Sequence, residues 1–146
     1  MESAIDQAIV GCNGKISKQM LVDSPSTPLY EINKEKAKAS RYLRAHHSSS
    51  SAAKSKKRVF ITFGVHPREL ISTEVALKFF QELCSNSNEV LTKANKKMIF
   101  SDFNIKMVPN SNRGGREKVE KGDYCNRLDE KGVDLNRNWP LGWRSV

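Results

Sequence analysis

Apolar positions along this chain fall into two periodicities. From Leu70 to Cys84 they recur with helical spacing: Ile71, Val75 and Phe79 form one line, with Ala76, Phe80 and Leu83 beside it. Pro67 stands just before, at a place suited to the first turn of a helix. Arg58–Val65, RVFITFGV, is dense in β-branched and aromatic residues and predicts a strand buried on both faces. Phe100–Val108 alternates through Phe103, Ile105 and Met107 and predicts a second strand. Glu89–Lys97 between them reads as a polar connection or a frayed helix. Strand, helix and strand in this order make a βαβ unit, whose two strands should be parallel neighbours or near neighbours with a right-handed crossover. Upstream, residues 2–11 predict a short helix with Ile5, Ile9 and Val10 apolar. Lys15–Val22 and Leu29–Ile32 predict short strands or a hairpin, separated by a turn at Ser24-Pro25-Ser26-Thr27-Pro28. After Pro109 the chain is rich in Asn110, Asn112, Gly114 and Gly115 and reads as loop to its end.

Composition narrows the class. The chain has 146 residues, 38% hydrophobic and 28% charged, enough for one modest core and wrong for a coiled coil, collagen or full disorder. The longest apolar run, Val59–Val65, is far short of a membrane span, and the acidic start MESAIDQAIV is unlike a signal peptide, so neither membrane insertion nor a compartment can be assigned. The net charge of +9 is local: Lys34–Arg58 carries nine basic residues and one acid. Within it, 44–57 (RAHHSSSSAAKSKK) is polar and Ser-rich and predicts a flexible loop. Its charge could attract nucleic acid, but only Tyr42 offers a stacking surface, so a solvated insertion is the expectation and no nucleic-acid partner. Cys12, Cys84 and Cys125 lack C-x-x-C spacing and predict buried or idle thiols in place of a disulfide scaffold or a cysteine zinc site.

Two motifs carry chemistry. His66-Pro67-Arg68-Glu69 is an H-x-x-E at a strand-to-helix corner, where imidazole and carboxylate can be aimed at one point beyond the strand's C-terminal end. Alone it is also compatible with a solvated histidine and a glutamate in a helix first turn. The second is Asp134-Leu135-Asn136-Arg137-Asn138, a stretch that chance would produce in a chain this short about once in ten thousand.

Together these motifs resemble the zinc carboxypeptidases, the carboxypeptidase A type of metalloprotease, in which H-x-x-E at a strand end precedes D-x-N-R-N by a comparable distance. The resemblance covers roughly 58–142. It implies an α/β fold with a mixed, largely parallel sheet flanked by helices, truncated, so that 1–146 would be the N-terminal part of one catalytic domain. It implies one Zn2+ held by His66 and Glu69, with Asp134 orienting His66 through the second ring nitrogen. Arg68 would contact the peptide backbone. Asn136 and Arg137 would hold the substrate's free C-terminal carboxylate, a task suited to charge-assisted bonds. Arg127 would face the oxyanion, with Arg116 as the runner-up. The implied enzyme is a monomer acting on peptide or protein C-termini.

The resemblance also implies a histidine as third zinc ligand, a tyrosine that closes on substrate and a general-base glutamate, all expected beyond Val146. His46 and His47 would give an unfamiliar ligand geometry. The activity therefore attaches to a longer protein, and the chain by itself is expected to be inactive. Two other readings stand beside it. An acylamino-acid deacylase of the aspartoacylase type would show H-G-N-E and lack N-R-N. A non-catalytic remnant would bind no zinc.

Overall fold

Tyr30 and Phe80 meet in the core with ring centroids 5.2 Å apart and planes inclined by 55°. Both are fully buried, and their contact joins a sheet to a layer of helices. The computed structural model describes residues 2–21, 24–32 and 56–139. In chain order these form α1 (Glu2–Val10), β1 (Ile16–Leu21), β2 (Ser24–Ile32), β3 (Lys57–Thr62), α2 (Leu70–Cys84), α3 (Lys93–Asp102), β4 (Phe103–Val108), α4 (Arg113–Glu120) and a 3₁₀ turn at Leu135–Arg137.

The architecture is α/β, with a four-stranded mixed sheet in the order β1-β2-β4-β3. β1 and β2 are antiparallel, as are β2 and β4, while β3 and β4 are parallel with Val59 opposite Ile105 and Ile61 opposite Met107. The expected strand–helix–strand unit is thus present, with α2 and α3 in the crossover. Alternation sends Ile16, Tyr30, Ile32, Ile105 and Met107 to one face, where they pack with Ile5, Phe80 and Leu83. On the opposite face Lys106 and its cross-strand partner Glu31 form an ion pair of 2.9 Å. Tyr30 also anchors α1: its hydroxyl donates to Asp6 Oδ1 at 2.9 Å. None of the described helices is long and apolar enough to cross a membrane.

Several sequence expectations are corrected. β3 is an edge strand of the described sheet and is not buried on both faces, since Phe60 points to the second face and is 60% exposed. In α2 the buried stripe is Thr73, Ala76, Phe80 and Leu83, while Ile71 and Val75 are exposed. One helix can turn only one stripe toward the sheet, and the second apolar line lies outside it. Ser24–Pro28 lies within β2 and is not a turn, and residues 22–23 lie outside the described residues. Prolines are admissible there because Pro28 pairs with Met20 beside a register shift at Met20/Leu21. Of Glu89–Lys97, read as a polar connection or frayed helix, the part from Lys93 is helical. Phe100, read as the start of the strand, also lies in α3, which Thr92 caps by accepting from Asn95 N–H, so the strand begins only at Phe103. The segment after Pro109 holds α4, which Gly114 and Gly115 had masked as loop. The predicted flexible segment 44–57 lies outside the described residues except for its last two positions, and Lys57 opens β3.

Two of the three cysteines are not free thiols. Cys12 and Cys84 are joined by a disulfide across 72 residues, and Cys125 is free and exposed. The bond ties the end of α1 to the end of α2. Gly11 makes the approach possible, because a Cβ there would stand 2.6 Å from the Cys84 carbonyl oxygen. Cross-linking so long a loop constrains the unfolded chain, which is worth about 2–5 kcal/mol. Reduction is therefore expected to lower the urea midpoint, and a non-reducing peptide map should recover the Cys12 and Cys84 peptides as one species. A midpoint indifferent to reductant would show that the bond carries no stability.

The corner beyond β3 prepares the functional segment. The ladder continues past the strand, with Phe63 N–H donating to Val108 O at 2.9 Å and Ser111 N–H to Phe63 O at 2.9 Å. Gly64 then adopts φ +63°, and a Cβ there would meet Thr73 Cγ2 at 2.6 Å and Asn110 Oδ1 at 2.9 Å. Both the left-handed backbone and the crowding exclude a side chain. Gly64→Ala is expected to destabilise the fold by more than about 1 kcal/mol. A denaturation midpoint like that of the unchanged chain would contradict this conformation.

Candidate active site

The chain leaves Gly64 as a short turn, and its next residues are fixed from two sides. Asn112, 3% exposed, donates from Nδ2 to Val65 O at 3.2 Å and caps α4 by accepting from Gly115 N–H at 3.0 Å. Pro67 is fully buried against Gly115, where an added Cβ would stand 2.8 Å from Pro67 Cγ. His66 and Arg68 flank this pinned proline. In the sequence Asn112 reads only as a loop marker, although an asparagine just before a helix is a capping signal.

Glu69 stands at the start of α2 but makes no side-chain cap. The expected helix-capping alternative for this residue is therefore not adopted. The serine hydroxyl of Ser72 organises the turn instead, accepting from Gly64 N–H at 3.1 Å and donating to Glu69 O at 3.0 Å. Glu69 Oε1 faces His66 Nδ1 at 2.7 Å. The other ring nitrogen, Nε2, lies 3.2 Å from Asp134 Oδ1. The His66 side chain is 8% exposed and Asp134 17%, whereas Glu69 is 54% exposed.

Asp134 is brought to this ring by a closed loop. Asp129 N–H donates to Val133 O at 2.9 Å, and Asp129 Oδ1 accepts from the N–H groups of Lys131 at 2.9 Å and Val133 at 2.8 Å. This reversal sets Arg127 beside Asp134, with Nε donating to Asp134 Oδ2 at 2.8 Å. Asp134 Oδ1 also accepts from Asn136 N–H at 2.9 Å and so caps the 3₁₀ turn. The Arg127 guanidinium, with help from Asn136 N–H and His66, holds the Asp134 carboxyl below the usual aspartate range against the opposing effect of burial.

The remaining predicted residues are exposed at this end of the molecule or engaged elsewhere. Asn136 and Arg137 lie in the 3₁₀ turn, and both are exposed. Trp139 Nε1 donates to Asn136 Oδ1 at 3.2 Å. That bond occupies the amide oxygen and leaves Nδ2 as the donor turned away from the indole. Trp139 was not among the predicted site residues. Arg68 is exposed and donates to Cys125 O at 3.3 Å. Arg116, the alternative to Arg127, is committed to the scaffold: it donates to Thr73 Oγ1 at 2.8 Å and Glu120 Oε1 at 2.7 Å, joining α4 to α2.

The donor set suits zinc in chemistry. His66 offers Nδ1 while Asp134 occupies Nε2, the arrangement that fixes a ligand imidazole. Two ligands of one tetrahedral zinc stand about 3.3 Å apart, so the 2.7 Å between Nδ1 and Oε1 needs only a small opening. Among the described residues no group of three or more metal-binding side chains occurs. Asp134→Ala is expected to free the ring and uncap the turn, costing about 1–2 kcal/mol. Chemical denaturation measures this, and a cost near zero would mean that the carboxylate organises nothing.

Comparison with known proteins bears on the family and the fold. The sequence model of the family described as zinc carboxypeptidase matches residues 32–146. No curated protein sequence matches the chain. Among solved structures, the carboxypeptidase A of Helicoverpa armigera superposes with a TM-score of 0.69 at 16% identity, covering 99% of this chain and 34% of that one. Thrombin activatable fibrinolysis inhibitor gives 0.68 at 19% identity, covering 97% and 34%. A metallo-carboxypeptidase from Burkholderia cenocepacia gives 0.64 at 16% identity, covering 94% and 31%. The chain thus shares their fold and spans about a third of their length.

Proposed function

Since the chain belongs to the zinc carboxypeptidase family, we propose that it carries part of the active site of a metallocarboxypeptidase that removes C-terminal residues from peptides and proteins. The observation that supports this best is His66, with Nδ1 facing Glu69 Oε1 and Nε2 facing Asp134 Oδ1. In this reading His66 and Glu69 hold one Zn2+. Bound there, the ion would supply Lewis acidity toward a carbonyl oxygen and lower the pKa of a water.

The chain's own residues then bind and orient. Asn136 Nδ2 and the Arg137 guanidinium take the free C-terminal carboxylate of the substrate, and Arg68 takes the peptide backbone. The Nη groups of Arg127 have no protein partner among the described residues. They can donate to a carbonyl oxygen as negative charge develops on it, with no reorganisation at that moment. Two protein ligands are one short of a catalytic zinc site. Turnover is accordingly assigned to the whole protein and not to these 146 residues.

The test is a pair of peptides, one ending in a free carboxylate and one amidated, assayed with the whole protein. A chelator should abolish turnover. Arg137→Ala should weaken the free-carboxylate peptide by about 1.5–3 kcal/mol, the range for hydrogen bonds to charged groups, and leave the amidated one little changed. Equal losses on both peptides would remove Arg137 from the carboxylate pocket. Turnover resistant to chelation would overturn the metallopeptidase reading.

A further inference from the structure

Arg127 enters the reading above only through its Nη groups, yet its one side-chain bond among the described residues points elsewhere. Nε donates to Asp134 Oδ2 at 2.8 Å, and the partner oxygen, Oδ1, lies 3.2 Å from His66 Nε2. The two oxygens of one carboxylate are therefore held from opposite sides. A carboxylate gripped at a single oxygen can rotate about its Cβ–Cγ bond. One gripped at both presents a fixed lone pair to the imidazole. The loop that carries Arg127 is itself tied down: Asn126 Nδ2 donates to Gly115 O at 3.4 Å, and Asn126 Oδ1 accepts from Leu128 N–H at 3.2 Å. The Arg127 side chain is 31% exposed, so its bond is partly sheltered from water.

We propose that Arg127 is a positioning residue, which through Nε locks the Asp134 carboxylate and thereby sets the direction in which His66 presents Nδ1 to a divalent cation shared with Glu69. This rests on the metal-site reading proposed above. It leaves the Nη fork available to substrate, so one guanidinium serves the metal ligand at one edge and the reacting carbonyl at the other. Lysine has one point of charge and cannot span both positions.

The test uses the whole 146-residue chain, titrated with Zn2+ against a chromophoric chelator. His66→Ala defines how much binding depends on this site, because His46, His47 and Cys125 could also take metal. The His66-dependent affinity should fall about tenfold or more in Arg127→Gln, as is usual when support for a metal ligand is lost. The double variant Arg127→Gln/Asp134→Ala should bind no more weakly than Asp134→Ala alone, since Arg127 acts through Asp134. Arg127→Lys should recover part of the affinity, and it serves if Arg127→Gln fails to fold. An unchanged affinity in Arg127→Gln, or losses that add in the double variant, would overturn the proposal.

A second readout needs no metal. In long-range ¹H–¹⁵N spectra of the metal-free chain, Arg127→Gln should move the His66 ring nitrogens in the same direction as Asp134→Ala. If the unchanged chain and His66→Ala bind zinc equally, the metal-site reading fails, and the ring spectra alone decide the positioning claim. Ring signals indifferent to Arg127 would refute it.

Discussion

One carboxylate gathers three separate parts of this chain. Asp134 accepts from the His66 ring beyond β3, from Arg127 in the long loop after α4, and from the backbone of Asn136 in the turn that displays the N-R-N residues. A carboxylate has about four lone-pair positions, so three donors can be satisfied at once with a position to spare. Each bond is charge-assisted or made to a fixed backbone group, which makes the arrangement directional. The Glu69-facing nitrogen of His66, the outer fork of Arg127 and the placement of Asn136 are consequently not independent variables. The geometry of the site depends on a single side chain, both of whose oxygens are already engaged.

The scaffold delivers His66 to that carboxylate through a corner with little freedom. β3 hands the ladder on to residues 108–112, Gly64 turns the backbone through a conformation closed to other residues, and Asn112 ties Val65 to the start of α4. Pro67 is buried against Gly115, which has no side chain to obstruct it. The helix that follows forgoes a side-chain cap at Glu69. A capping residue would have stabilised α2, but it would also have turned the glutamate toward its own backbone. Local stability is given up where the side chain faces His66, a departure expected at functional positions.

The disulfide acts at the far end of the same helix. Cys84 closes α2 and Cys12 follows α1, so the helix that bears Glu69 at its beginning is anchored at its end. Tyr30 reinforces α1 from the sheet through Asp6. The corner and the cross-link thus hold the helix on which Glu69 depends from both ends, with Phe80 packed on Tyr30 between them.

Much of the site was legible in the linear chain. The dense apolar run, the helical stripe and the alternating run predicted β3, α2 and β4, and H-x-x-E at the corner with D-L-N-R-N, whose Asn136 follows His66 by seventy residues, carried the family resemblance. These signals are local: a strand's alternation, a proline at a helix start and a motif's spacing are written in neighbouring residues. Other features depend on what lies across space. Whether Ile71 and Val75 or Ala76 and Phe80 face the sheet is decided by which stripe meets Tyr30, and both are equally apolar on paper. The pairing of Cys12 with Cys84 needs the ends of two helices to meet, and no spacing rule encodes that. Glycines hid α4, because its stability comes from the Asn112 cap and from Val119, buried with it. The choice between Arg127 and Arg116 was open in the sequence, since both are arginines in polar stretches. Folding gives them different partners, Arg116 on Thr73 of α2 and Arg127 on Asp134. Residue type and period are properties of the chain, whereas partners at 3 Å belong only to the folded molecule.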